Sequence, residues 1–217
     1  MEFTDVLMSR RSIRAFADTP VSREQVEGLL AKALESPSWS NTQPYKVALA
    51  MGAPLEELRQ ELSQRFARAT ALQKAPLPKK IAGVLRGGVM PDGDFKPILK
   101  YPKDLQPRRV ATGIGLYNVL GIARDDHAAR DAQMARNFSF FDAPAVLFVF
   151  VHEGLGSCAQ GALALWRSPV EARFAIDKPY KLLCGLSLGY PLDAPVNRFK
   201  PERRTVAEIL LPTRGTS

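Results

Sequence analysis

Apolar positions along the chain recur at helical spacing in some stretches and run unbroken in others. Phe3, Val6, Leu7 and Arg10 sit three or four apart, which predicts a first helix with Thr4 as its N-cap. After Pro20, the pair Ser22 and Gln25 has capping-box spacing. Val26, Leu29, Leu30, Ala33 and Leu34 then make a stripe that predicts a second helix, ending at Ser36-Pro37. A strand is predicted at Tyr45–Met51, and a third helix from Leu55, Leu58, Leu62, Phe66 and Ala69. Val110, Ile114, Tyr117, Leu120 and Gly121 suggest a fourth helix, and Asp126 to Asn137 a short polar one. Ala145–Val151 is continuously apolar and β-branched, the pattern of a buried strand. Leu182–Leu188 predicts another strand, and Thr205-Val206-Ala207-Glu208 could cap a short last helix. Helices and strands mix without a regular βαβ alternation, so the expected class is α+β.

The periodicity dissolves over residues 74–107. Prolines stand at 76, 78, 91, 97, 102 and 107, with Gly87, Gly88 and Gly93 among them. A long irregular segment inside a compact domain is usually functional or mobile. A lid over a binding site and a plain surface excursion both fit.

Composition narrows the class. The 217 residues are 46% apolar, and no linker or repeat divides them, so one domain is expected. No apolar run approaches the roughly 20 residues of a membrane helix. The start has no apolar core of a secretory signal, which leads to a cytoplasmic expectation. Cys158 and Cys184 suggest a reduced protein without a disulfide framework. With only His127 and His152 beside them, a structural zinc site is not expected. The net charge is +8, but cations interleave with acids along the chain, so a nucleic-acid partner is not expected. An anionic small molecule fits better.

Two segments could bind such an anion. Arg10, Arg11, Ser12 and Arg14 follow the first helix, and guanidiniums with a hydroxyl suit a phosphate. The same cations could simply stabilise a helix C-terminus. The run Ser36-Pro37-Ser38-Trp39-Ser40-Asn41-Thr42-Gln43-Pro44 is dense in small donors and acceptors. It could read the edge of a planar ring, or be an ordinary polar turn. Cys158 reads as a buried thiol and His152 as a strand-end residue. No GxGxxG or GxxxxGK[ST] occurs.

Together, in this order and spacing, the two segments resemble the N-terminal signatures of the nitroreductase family. The resemblance continues through Arg136-Asn137-Phe138-Ser139-Phe140-Phe141-Asp142-Ala143-Pro144 and through Gly154-Leu155-Gly156-Ser157-Cys158-Ala159-Gln160-Gly161. It also includes Leu186-Ser187-Leu188-Gly189-Tyr190-Pro191 and the terminal Arg203, Arg204 and Glu208. Tyr101 to Asp126 resembles the subgroup of nitrobenzoate and other nitroaromatic reductases.

The resemblance implies an α+β sandwich, with a central, mostly antiparallel sheet flanked by helices and FMN at a homodimer interface. Arg10, Arg11 and Ser12 would hold the phosphate and ribityl region, and Arg14 would lie at the pyrimidine side. Pro37, Ser38, Trp39 and Asn41 would contribute from the partner subunit, Gln43 would also contact the cofactor, and Gln160 and Gly161 would face flavin N5. Arg203 and Arg204 would close on the phosphate. Trp39, Phe95 and Tyr101 would wall the acceptor site. NAD(P)H would be the reductant, and a nitroaromatic or quinone the acceptor. In the family, the strand matching 145–151 is followed by a loop and a long helix. Here a segment of roughly 20 residues, about 30 Å if helical, is lacking near 152–157, either deleted from the chain or omitted from the sequence. The rival reading is a flavin-binding protein with little turnover because that core helix is missing.

Overall fold

A computed structural model describes residues 2–36, 41–78, 90–95, 101–152, 165–178 and 180–199. Its helices are α1 (Phe3–Ser9), α2 (Arg23–Ala33), α3 (Gly52–Lys74), α4 (Gln106–Val119), α5 (His127–Ala135), α6 (Ser168–Glu171) and α7 (Pro195–Arg198). The strands β1 (Tyr45–Met51), β2 (Ala145–His152) and β3 (Tyr180–Leu188) form one antiparallel sheet in the order β1-β2-β3. The class is α+β, as expected.

β2 lies in the middle, so its residues face cover on both sides. Val146, Phe148 and Phe150 join Leu55, Leu58 and Leu62 of α3, together with Phe138, Phe140, Trp166 and Leu182, in the main core. Ala145 and Leu147 face the other way, onto Val26 and Leu30 of α2. Burial on both faces is why this strand reads as an unbroken apolar run. Aromatic rings knit the main core. Phe66 stacks on Phe138 at 4.6 Å, and Phe138 meets Trp166 edge-on at 5.2 Å.

β1 runs straight into α3 through Gly52, whose φ of +58° suits glycine. A bulge between Val149 and Phe150 inserts Leu183 on the β3 side. β3 consequently begins at Tyr180, two residues before the expected Leu182.

Ser22 and Gln25 form the reciprocal box: Ser22 Oγ accepts from the Gln25 amide, and Gln25 Oε1 accepts from the Ser22 amide. Several boundaries differ from expectation. Glu2, not Thr4, is the N-cap of α1, with no side-chain cap bond. α1 stops at Ser9, leaving Arg10 as C-cap. α2 ends at Ala33 and turns through Ser36, before the proline constraint acts. α4 starts at Gln106, because Pro107 falls in its first turn, where the missing N–H costs nothing. Asp126 is the N-cap of α5, its carboxylate accepting from the Ala129 amide. The expected helix near Thr205 lies outside the described residues.

Phe140, Phe141 and Asp142 all have positive φ (58°, 53° and 64°). Arg59 of α3 holds this turn by donating to the carbonyls of Ser139 and Ala143, at 3.1 and 3.0 Å. Among the described residues, no helix is long and apolar enough to cross a membrane.

Candidate functional site

The chain leaves α1 extended. Residues 15–17 pair with residues 190–192: the Ala17 amide donates to Tyr190 O at 2.7 Å, and the Leu192 amide to Ala15 O at 3.0 Å. Phe16 and Pro191 form an isolated bridge. Gly189 lets this pairing close, because a Cβ there would lie 2.7 Å from Pro144 and 2.8 Å from Phe16. The arginine segment is thus fixed at its C-terminal end and open at its start.

Arg10, Arg11 and Ser12 are exposed, and Arg14 is half-buried. Arg11 Nη1 donates to the Ser9 carbonyl at 3.3 Å, so the helix-end reading applies to Arg11 in part. Arg14 differs. Burial pushes its pKa below the ordinary arginine value. Among the described residues, no carboxylate or carbonyl meets its guanidinium. A half-buried cation without a counter-ion suits an anionic or carbonyl-rich ligand. Arg14 also lines a cleft of about 550 Å³, with Val119 and Leu120 at the C-terminal end of α4, Arg136, Phe141 and the 192–196 turn. The residues present fit a flavin mononucleotide: exposed guanidiniums and a hydroxyl for a phosphate, and a partly desolvated cation for a ring edge.

The second segment is described only from Asn41. Asn41 and Gln43 both have positive φ (52° and 43°), and Gln43 Nε2 donates to Asn41 Oδ1 at 3.4 Å. Two left-handed residues just before a strand store strain, which is common at ligand-contacting turns. Phe95 and Tyr101 are exposed, and the Arg109 guanidinium lies 5.2 Å from the Tyr101 ring centre. Pro37, Ser38, Trp39, Gln160, Gly161, Arg203 and Arg204 lie outside the described residues. So do residues 79–89 and 96–100 of the 74–107 segment. His152 is the last residue of β2, as expected, and Cys184 is half-buried on β3.

Asn197 was not among the residues singled out from sequence. It is 3% exposed, the one buried polar side chain among the described residues, and it binds the backbone of Arg14 and Ala15. No local signal marks it, because its partners Arg14 and Ala15 lie more than 180 residues away.

The model of the nitroreductase family matches residues 7–190. A 4-nitrobenzoate reductase from Pseudomonas putida is 26% identical, over 93% of this chain and 91% of its own length. A nitrobenzene nitroreductase from Ectopseudomonas oleovorans is 33% identical, over 86% of this chain and 85% of its own. These alignments run over 231 and 211 positions but take in only 93% and 86% of the 217 residues here, so roughly two to three dozen positions of each relative have no counterpart in this chain. Among solved structures, the FMN and NADPH-dependent nitroreductase NfnB from Sphigopyxis sp. strain HMH superposes with a TM-score of 0.80 at 26% identity, covering 98% of this chain and 99% of that one. With the arginine segment, the sheet and the strained turn all inside the matched span, this chain belongs to the nitroreductase family.

Proposed function

We propose that this protein reduces nitroaromatic compounds with electrons from NAD(P)H, using FMN bound against the segment Arg10–Arg14. The observation that carries the reading is Arg14, half-buried, uncompensated by any described carboxylate and set on a pinned backbone. The 4-nitrobenzoate and nitrobenzene reductases support the substrate class, and the FMN- and NADPH-dependent relative supports the cofactors. Bound FMN supplies the electron transfer, in two half-reactions, so no side-chain nucleophile is required.

The chain's own residues bind and orient. Arg10, Arg11 and Ser12 hold the phosphate and ribityl chain by charge-assisted hydrogen bonds. Arg14 faces the pyrimidine edge, where a guanidinium favours negative charge on the ring. Pro37, Ser38, Trp39 and Asn41 complete the site from a second copy, and Gln43 also contacts the cofactor. Gln160 and Gly161 would serve the reacting edge of the ring, and Arg203 and Arg204 would bind the phosphate. Trp39, Phe95 and Tyr101 bound the acceptor, which is a nitroaromatic or a quinone.

A homodimer is supported by helices that are left largely uncovered within one chain. α1 and α4 bury none of their residues, and Phe3 is 75% and Ile114 48% exposed. Such faces mark association surfaces. The chain forms one domain and lacks the long helix that resemblance places after β2. Only twelve residues separate His152 from Leu165, and they already hold the Gly154–Gly161 motif. The unmatched alignment positions support the same reading. Weaker FMN binding is the consequence.

The visible spectrum of the purified protein, before and after anaerobic NADPH, tests this. A bound-flavin spectrum that bleaches and recovers repeatedly on adding a nitroaromatic is expected. A single bleaching event without turnover would favour a flavin-binding protein, and a colourless protein that takes up no added FMN would overturn the reading.

A further inference from the structure

Asn197 lies on the four-residue helix α7, 183 residues from Arg14, and its carboxamide is saturated. Oδ1 accepts from the amides of Arg14 at 2.6 Å and Ala15 at 3.0 Å. Nδ2 donates to the carbonyls of Ala15 at 2.6 Å and Leu192 at 2.8 Å. Two acceptances and two donations exhaust the group. They also fix which end is oxygen, since a reversed amide would set donors against donors. No other side chain of this size offers both functions. Aspartate cannot donate twice, and leucine would leave the Arg14 and Ala15 amides and the Leu192 carbonyl without this partner.

The amide ties together two strips that face the same cleft. Arg14, Ala15 and Phe16 form one wall, and Leu192, Ala194, Pro195 and Val196 the other. Phe199, just beyond α7, fixes this assembly on α4, where its ring fits against Gly115. Arg14 gains most from the clamp. Because no described side chain holds its guanidinium, the direction it takes into the cleft depends on its backbone, and Asn197 pins that backbone on the side facing α7.

We infer that Asn197 is a positioning residue for the flavin site, acting through Arg14 by locking the peptide from which that guanidinium projects. The assignment rests on the flavin reading proposed above. A buried amide used in this way does not touch the flavin. Its loss matters only as far as Arg14 loses its aim.

A double-mutant cycle tests this, because residues acting as a unit are not additive. Wild type, Arg14→Ala, Asn197→Asp and the double variant are titrated as apoproteins with FMN, and the midpoint potential of the bound flavin is measured for each. Each single change is expected to weaken FMN by about tenfold or more, the scale of one charge-assisted contact. The double variant should then bind no more weakly than Arg14→Ala alone, and the potential should shift by the same amount in both. Asn197→Ser, which leaves room for a bridging water, keeps the cycle readable if Asn197→Asp does not fold. Effects that multiply to about a hundredfold would overturn the proposal, as would unfolding of both Asn197 variants while Arg14→Ala stays folded. A wild-type protein that takes up no FMN would instead overturn the flavin reading itself, and this proposal with it.

Discussion

One guanidinium nitrogen of Arg167 lies 2.9 Å from each carboxylate oxygen of Asp94. Both side chains are largely enclosed, 16% and 8% exposed. Asp94 also accepts from the Leu182 amide at 2.6 Å, and the Arg167 amide donates to Asp92 at 2.9 Å. Glu171, first, and then Asp94 hold the Arg167 pKa above its ordinary value, against the effect of burial. Residues 92–94 are therefore locked onto the start of β3, next to Phe95. Without Asp94, Arg167 keeps Glu171 and the Tyr180 carbonyl, but the Leu182 amide loses its acceptor and the 92–94 segment its tie to β3, at a cost on the order of 1–3 kcal/mol. Asp94→Ala should lower the urea midpoint by a corresponding amount, and Asp94→Asn, which keeps an acceptor for Leu182, by less. Equal midpoints for Asp94→Ala and wild type would show that the pair adds nothing.

Arg59 plays a similar role at the strained turn. Its two bonds to the Ser139 and Ala143 carbonyls hold three consecutive left-handed residues in place. Hydrogen bonds from a charged donor contribute about 1.5–3 kcal/mol each. Arg59→Met keeps the aliphatic stem and removes the donors. A loss of about 2 kcal/mol or more is expected in chemical denaturation, and faster amide exchange at residues 140–143 would locate it.

These two clamps show which parts of the molecule were legible in the sequence. Tyr45–Met51 and the Ser22/Gln25 box were readable because their causes are local: an apolar run, and two side chains three residues apart. The start of α4 was missed because Pro107 looks like a breaker, although a first-turn proline is compatible with a helix. The bulge that lets β3 begin at Tyr180 has no local signature. Asn197 and Arg14 are separated by 183 residues, and Asp94 and Arg167 by 73, so neither pairing leaves a pattern in one sequence. The arginine segment itself was visible. What the structure adds is its division: Arg11 donates to the Ser9 carbonyl at the helix end, whereas Arg14 is half-buried with no described partner for its guanidinium.

Gly189 is where packing tolerates no side chain. Its missing Cβ makes room for Pro144 and Phe16, both at less than 3 Å from where that atom would be. Those neighbours belong to a proline ring and to a side chain in the 15–17 pairing, so neither can yield without moving backbone. Overpacking of this kind costs about 1–3 kcal/mol. Gly189→Ala should destabilise the fold within that range and lower FMN affinity, because Phe16 lies two residues from Arg14. Unchanged stability would show that the contact relaxes freely.

Cys184 supplies a pH-dependent signal. Burial on β3 pushes its thiol pKa up, since the thiolate would be poorly solvated. The unfolded chain releases this proton near the ordinary thiol pKa of about 8.5, while the folded chain keeps it. The folded state then binds more protons, so stability falls as pH rises through that range toward the raised folded value. Cys184→Ala should flatten the alkaline side of the stability profile. Iodoacetamide labelling, located by peptide mass spectrometry, should reach its plateau at Cys184 only at higher pH than for a free thiol. A free-thiol profile at this residue would contradict its burial.

The exposed faces of α1 and α4 give the last prediction. Phe3, Val6 and Leu7 on α1, and Val110, Ile114 and Val119 on α4, are all more than a third exposed in the single chain. Covering a large apolar side chain stabilises by about 1.5–3 kcal/mol, so a few such residues suffice to drive association. Ile114→Glu places a charge where the partner would bury it, and the desolvation cost opposes dimer formation directly. The same variant leaves the core of one chain untouched, because α4 buries none of its residues. Sedimentation velocity should show wild type as a dimer and Ile114→Glu shifted toward monomer, with folded circular dichroism retained. FMN affinity should fall in parallel if, as proposed, Asn41 completes the flavin site from a second copy. A variant that stays dimeric would place the interface elsewhere. A monomer that binds FMN as tightly as wild type would show that one chain holds the flavin alone.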